Sequence, residues 1–314
     1  MKAVKLRPYC AKAIWGGNKL REKYGKKADF DIAESWELSG YPGKESCVDG
    51  GIHDGKTITE LIEAEGKQIL GTKAANAEKF PILIKFIDAV QPLSIQVHPD
   101  DAKAELLGAY GGKTEMWIVC EADEGAFLYY GVNEALDQET FAASVEDGSI
   151  TDKLNRIAVK PGDTFFIEAG TIHAIGAGIT ICEIQQSSDT TYRLYDYKRT
   201  DANGNQRELH IEKGKIASNL TPPDHFYEIG EKKGDENVLV TCPFFTTSII
   251  DVNGMAETSV TSESFSTVTV TDGVGTIELD SEYFEVKKGD TVMLFASAGN
   301  VMFKGKMTVV KATL

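Results

Sequence analysis

One string occurs twice in this chain, and it limits what the chain can fold into. Val159 to Ala169 reads VKPGDTFFIEA, and Val286 to Ala296 reads VKKGDTVMLFA. Each is Val-Lys-X-Gly-Asp-Thr, then an apolar run, then Ala. The Gly-Asp pair signals a turn, and Thr followed by apolar residues favours a strand. A second pair lies upstream, Ile118 to Gly125 (IVCEADEG) against Val268 to Gly275 (VTVTDGVG). The two spacings differ, and an acidic helical segment inside the first copy accounts for the difference. A unit of short strands and Gly, Asp and Asn turns, present twice, predicts a mainly β protein of two β-barrels or jelly rolls. The expected units are 1–236, with helices inserted, and 237–314, joined by the charged stretch Gly230 to Glu236 (GEKKGDE).

Three segments read as helical. Thr57 to Gly66 has Ile58, Leu61 and Ile62 at helical spacing, with Thr57 and Glu60 as a capping box. Asn133 to Asn155 is acidic, with Leu136, Phe141 and Val145 as its buried stripe. Asp100 to Leu107 adds a short helix capped by Asp100 or Asp101.

Composition narrows the function. The chain has 314 residues, is 42% hydrophobic and carries a net charge of -15. A disordered chain is excluded on these values, and a nucleic-acid partner is disfavoured by the repulsive field. An anionic small substrate then requires a local basic pocket. The first residues show no secretory h-region, and no apolar run approaches the length of a membrane span, so a cytoplasmic protein without a membrane partner is expected. The five cysteines show no CxxC spacing. Reduced thiols are expected rather than a disulfide framework.

The chemistry lies in three pieces of the first copy. In LSIQVHPDD (Leu93 to Asp101), strand alternation puts Gln96 and His98 on one face, and Pro99 ends the strand. In GGKTEMWI (Gly111 to Ile118), Glu115 enters an apolar strand after a Gly turn, with Lys113 two residues before it. In FFIEAGTIHAIGAG (Phe165 to Gly178), His173 stands just inside a strand among small residues. Each alone is compatible with a bland role: a polar strand face, a solvent-facing carboxylate, a core histidine. Together, two His, one Glu and an amide oxygen form a ligand set that suits Zn²⁺, with Fe²⁺ or Mn²⁺ as competitors. The repeat supplies a control. Its spacing carries His173 onto Asn300 and Glu115 onto Phe265, and nothing like Gln-X-His precedes Phe265. The second copy keeps the turns and loses the ligands.

These strings resemble the type I mannose-6-phosphate isomerases, in a short bacterial form and with the cupin fold. The resemblance rests on IWGG (Ile14 to Gly17), ESWEL (Glu34 to Leu38), QPLSIQVHPDD (Gln91 to Asp101), GKTEMW (Gly112 to Trp117), AGTIHAIGAG (Ala169 to Gly178) and EIQQSSDTTYRLYDY (Glu183 to Tyr197). It implies a zinc-dependent intramolecular oxidoreductase that interconverts mannose 6-phosphate and fructose 6-phosphate through an enediol. It implies one Zn²⁺ per chain on Gln96, His98, Glu115 and His173. It places the active-site arginine at Arg193, and puts Lys113 and Glu183 where relatives carry active-site residues. This chain departs from longer relatives in lacking room for their extra helical domain. It also has Glu168 where the family often has Pro.

Isomerisation needs an acid and base at C1 and C2, an oxyanion partner and a phosphate holder. Arg193 is a poor proton shuttle and a good anion partner. Lys113 and Glu183 are both candidate bases, and the sequence does not choose between them. Lys198 and Arg199 read as a solvated face; Trp15, Trp36 and Trp117 read as core; His53, His210 and His225 receive no role. A non-catalytic sugar- or metal-binding cupin and a cupin oxygenase are the rival readings. The oligomeric state is left open, a monomer being compatible with all of this.

Overall fold

The computed structural model describes residues 1–200, 203–223, 232–280 and 282–314. Its strands form three antiparallel sheets. A six-stranded sheet runs Thr164–Ile167, Glu115–Ala122, Ile179–Gln186, Ile82–Ala89, Glu34–Leu38, Tyr9–Ala11. A five-stranded sheet runs Tyr192–Tyr195, Ile95–Val97, His173–Ile175, Phe127–Val132, Leu154–Ala158. These two face each other as the first barrel. The nine-stranded third sheet curls into the second, its long strands Thr246–Val260, Ser266–Leu279 and Gly299–Thr313 forming most of the wall.

Alternation decides which residues enter the first barrel. Along Ile179–Gln186, Ile179 and Ile181 join the barrel interior with Trp117 and Ile87, whereas Cys182 and Ile184 join a cluster between the barrels. The interior face therefore continues through Glu183 and Gln185. On Ile82–Ala89 the same rule turns Lys85 inward beside Ile87. The cluster between the barrels takes Ile84, Phe86 and Met116 from one side and Leu239, Phe265, Phe295 and Val310 from the other. The N-terminal strand Ala3–Arg7 belongs to the second sheet, with Ala3 opposite Leu294 and Leu6 opposite Thr291.

The repeated string builds the same turn twice. Gly162 and Gly289 have φ of 91° and 94°. Lys160 N donates to Asp163 Oδ2 at 2.9 Å, and Lys287 N to Asp290 Oδ2 at 3.0 Å. Gly162 N reaches Val119 O and Gly289 N reaches Val270 O, both at 2.8 Å. This register corrects the upstream comparison by one residue. Ile167 lies opposite Glu115 and Leu294 opposite Ser266, so Glu115 corresponds to Ser266 and not to Phe265.

The capping box at Thr57 and Glu60 forms as expected, over the helix Ile58–Glu65. The Asp101–Leu106 helix is capped by Asp100. The acidic segment is shorter than its composition suggests, an α-helix Gln138–Asp147 followed by a 3-10 turn Ser149–Lys153. Asp137 accepts from Thr140 N and starts it; Gly148, at φ 91°, ends it. In the expected linker, Gly230 and Glu231 lie outside the described residues, and Lys232–Lys233 already pairs with Asn237 and Glu236.

Candidate metal and substrate site

Two neighbouring strand rows build the site. Arg193 lies opposite Gln96, and Gln96 opposite His173, across Tyr192–Tyr195, Ile95–Val97 and His173–Ile175. On the facing sheet, Lys85 lies opposite Glu183 and Glu183 opposite Trp117. His98, Glu115 and His173 are all buried, and their ligand atoms lie within 4.8 Å of one another.

The two histidines are held by backbone. His98 Nδ1 hydrogen-bonds Thr190 O at 2.8 Å, and His173 Nδ1 hydrogen-bonds Thr171 O at 2.8 Å. A carbonyl only accepts, so each Nδ1 carries the proton and each Nε2 presents a lone pair. Those lone pairs face the Glu115 carboxylate, His98 Nε2 at 3.3 Å and His173 Nε2 at 3.7 Å. Trp117 Nε1 donates to Glu115 Oε2 at 3.1 Å and orients it. Gln96 Nε2 lies 3.4 Å from His173 Nε2. Two imidazole lone pairs and a carboxylate converging as acceptors suit a cation at their centre. Lys113 supplies one positive charge there, donating to Glu115 and standing 3.1 Å from His98 Nε2. Burial holds His98 well below the usual histidine range and His173 down to about 4, so both are neutral, as metal ligands must be.

The charges continue from this cluster. Lys113 Nζ is 3.7 Å from Glu183 Oε1, Lys85 Nζ 3.1 Å from the same oxygen, and Lys85 Nζ 3.5 Å from Glu34. Burial lowers Lys113 to about 8, against the pull of Glu183. Burial would also lower Lys85, but Glu183, Glu34 and Asp189 outweigh it and raise it. Glu183 is buried too, yet Lys85 and Lys113 hold it below the usual carboxylate range.

A cavity of about 330 Å³ opens onto this chain of charges, lined among others by Trp15, Lys85, Gln96, Lys113, Glu183, Arg193 and Arg207. Arg193 Nη1 donates to Glu208 O at 2.8 Å, and its backbone N to His210 Nδ1 at 3.1 Å. Its Nε is buried without a partner. Arg199 and Arg207 share the Asp196 carboxylate, Arg207 Nε reaching Oδ2 at 2.8 Å. Two guanidiniums on one carboxylate leave a net positive charge beside Arg193, the local basic pocket that the acidic chain requires.

Every residue singled out from the sequence thus lies in or beside one cavity. Some readings are corrected. Arg199 is not on a solvated face; it is mostly buried against Asp196 and donates to Pro92 O at 2.7 Å. Trp15, Trp36 and Trp117 are core, as read, but Trp15 also lines the cavity and Trp117 holds Glu115. His210 anchors the Arg193 backbone, His53 pairs with Glu65, and His225 lies outside the described residues. Sequence reasoning missed Lys85 and Arg207. A lysine at an inward position of an otherwise apolar strand was the signal for the first. The Asn-Gly-Asn turn at 203–205, whose flanks Thr200 and Gln206 bridge, was the signal for the second.

Residues 3–116 match the family described as phosphomannose isomerase type I, catalytic domain, and residues 235–314 match the mannose-6-phosphate isomerase cupin domain. The chain is 38% identical to the mannose-6-phosphate isomerase of Streptococcus mutans, over 95% of this chain and 94% of that one. It is 34% identical to ManA of Bacillus subtilis, over 95% of each. The crystal structure of the mannose 6-phosphate isomerase from Bacillus subtilis superposes with a TM-score of 0.91 at 32% identity, covering 100% of both chains. A zinc-bound mannose 6-phosphate isomerase, 19% identical, shares the fold with a TM-score of 0.79 over 99% of both chains.

Proposed function

The chain belongs to the type I mannose-6-phosphate isomerase family, and from that membership we propose how its own residues interconvert mannose 6-phosphate and fructose 6-phosphate. It is an aldose–ketose isomerase of the cupin fold.

His98, Glu115 and His173 would hold one Zn²⁺ per chain, with Gln96, whose amide borders His173, as a further candidate ligand. The neutral, Nδ1-anchored histidines and the carboxylate facing them fit that ion. When bound, it supplies a Lewis acid that polarises or orients sugar oxygens. The proton work falls to Lys113 and Glu183. They touch each other and open on the same cavity, so a proton taken from one substrate carbon has a partner that returns it to the next. Lys85 keeps Glu183 ionised and fixed in place. Arg193, which lines the cavity, stabilises the enediolate oxygen. Arg207, with Arg199 beside it on Asp196, holds the phosphate. The single observation that carries this reading is Lys113, which joins the ligand cluster to Glu183 within one cavity.

We also propose that 1–236 is the catalytic unit and 237–314 its metal-free companion, the first strand being lent to the companion's sheet. Cytoplasmic residence is part of the proposal, supported by five free cysteines. Among the described residues no helix is long and apolar enough to cross a membrane. The test combines metal analysis of the purified protein with an isomerase assay on mannose 6-phosphate. One zinc per chain and chelator-sensitive turnover are expected. Activity fully retained after complete metal removal would overturn the metal assignment, and iron with oxygen uptake would favour an oxygenase.

A further inference from the structure

Strand register lets each interior position of the first barrel be read against the second. In the first, Glu115–Ala122 pairs with Ile179–Gln186, that strand with Ile82–Ala89, and that with Glu34–Leu38. In the second, Ser266–Leu279 pairs with Gly299–Thr313, then Thr246–Val260, then Glu236–Thr241. The irregularities coincide: Thr180/Ile181 against Val270/Asp272 in one ladder, Trp36/Leu38 against Val238/Val240 in the other. Counted from these fixed points, Trp117 corresponds to Val268, Glu183 to Lys311, Lys85 to Ser248 and Glu34 to Glu236. The interior row Gln96–His173 becomes Thr258–Val301, which are likewise opposite each other, while Asn300, the position string spacing gave for His173, faces out.

The second barrel has therefore kept an acid and a lysine in its interior and moved the lysine one strand over, into the place of Glu183. Lys311 is 8% exposed. Its Nζ donates to Glu236 Oε1 at 2.8 Å, to Thr258 Oγ1 at 2.6 Å and to Ser259 O at 3.4 Å. The Thr258 hydroxyl in turn donates to Glu236. Carboxylate, hydroxyl and carbonyl oxygens thus converge on one ammonium, and every ligand position of the first barrel is replaced by a group that needs no ion.

We infer that the interior of the second barrel is a degenerate cation site filled by the protein's own Lys311 ammonium, and that a small primary alkylammonium ion is the ligand it takes once that side chain is shortened. The acceptor shell is set by strands and stays in place, while the tethered cation is removable by mutation. Filling the site from within makes this barrel independent of metal and of solvent cations.

The test is chemical rescue in the full chain. Lys311→Ala leaves Glu236 without its cation, and its Tm should fall by about 5 °C or more. Millimolar n-propylammonium chloride should recover at least half of that loss in a saturable way. Equal concentrations of sodium chloride or n-propanol should not, and wild-type Tm should not respond. Isomerase activity measured below the Tm should match wild type. An unchanged Tm in Lys311→Ala, or recovery by salt or propanol as large as by the amine, would overturn the inference. Should Lys311→Ala not fold, Lys311→Met is compared with Lys311→Met/Glu236→Gln. The double variant, with acid and cation both neutralised, should be clearly the more stable of the two, and equal instability of both would also overturn it.

Discussion

At the scale of single residues, the site separates ligands from charge-bearing neighbours. His98→Ala or His173→Ala removes one of three converging ligand atoms, while the strand ladders around them are made by backbone pairing. Each variant should keep its far-ultraviolet circular dichroism and lose both zinc and turnover; a full zinc content in either would reject the ligand set. Arg193 makes a different prediction. Its charge is wanted where the enediolate forms, so Arg193→Ala should lower kcat and kcat/KM together, by roughly a hundredfold. Arg193→Lys should recover only part, because an ammonium lacks the guanidinium fork. Zinc content should be unchanged in both. A raised KM with unchanged kcat would instead place Arg193 on the phosphate.

At the scale of elements, the two Val-Lys-X-Gly-Asp-Thr turns share dihedrals and hydrogen bonds but not surroundings. A Cβ added to Gly162 meets nothing within 4 Å, whereas one added to Gly289 runs into the Tyr24 carbonyl oxygen. Both glycines have positive φ, so either alanine costs about 1 kcal/mol of backbone strain. Gly289→Ala must also displace Tyr24, which is buried against Phe86. Thermal denaturation should therefore show a small loss for Gly162→Ala and a loss at least twice as large for Gly289→Ala. Equal losses would mean that the Tyr24 segment yields without cost. The same comparison shows why one repeat turn serves as a surface corner and the other as a joint.

Across the whole molecule, ion pairs tie the barrels together. Glu121, on a first-barrel strand, receives Lys23 at 2.6 Å and Lys288, from the second repeat turn, at 2.9 Å. Partial burial would raise its pKa, but the two lysines outweigh that and hold it below the usual carboxylate range. A carboxylate depressed in the folded state stabilises fully above its unfolded value of about 4.3, and that contribution fades as pH falls through the folded value. The difference in Tm between wild type and Glu121→Gln should thus be constant above about pH 5 and shrink toward pH 3. A difference independent of pH would show that Glu121 acts by packing and not by charge. Other acids cancel in this comparison, including buried Glu37, whose pKa is raised by burial against the pull of Lys26.

The sequence by itself determined whatever is local or repeated. The shared string fixed two equivalent turns, residue types fixed the Thr57 and Asp100 caps, and strand alternation put Gln96 and His98 on one face. Family resemblance then gathered Glu115, His173, Lys113, Glu183 and Arg193. Only the tertiary structure decided what depends on pairing between distant strands. Lys85 enters the site because its strand lies beside Glu183, and Arg207 because a turn returns it to Asp196. Ala3–Arg7 completes the far sheet, and Glu115 answers to Ser266 through the partner each has on the neighbouring strand, which no string comparison sees. The physical reason is common to these cases. A charged side chain reads the same on a surface as in a core, and which one it occupies is set by partners that strand pairing brings from elsewhere in the chain.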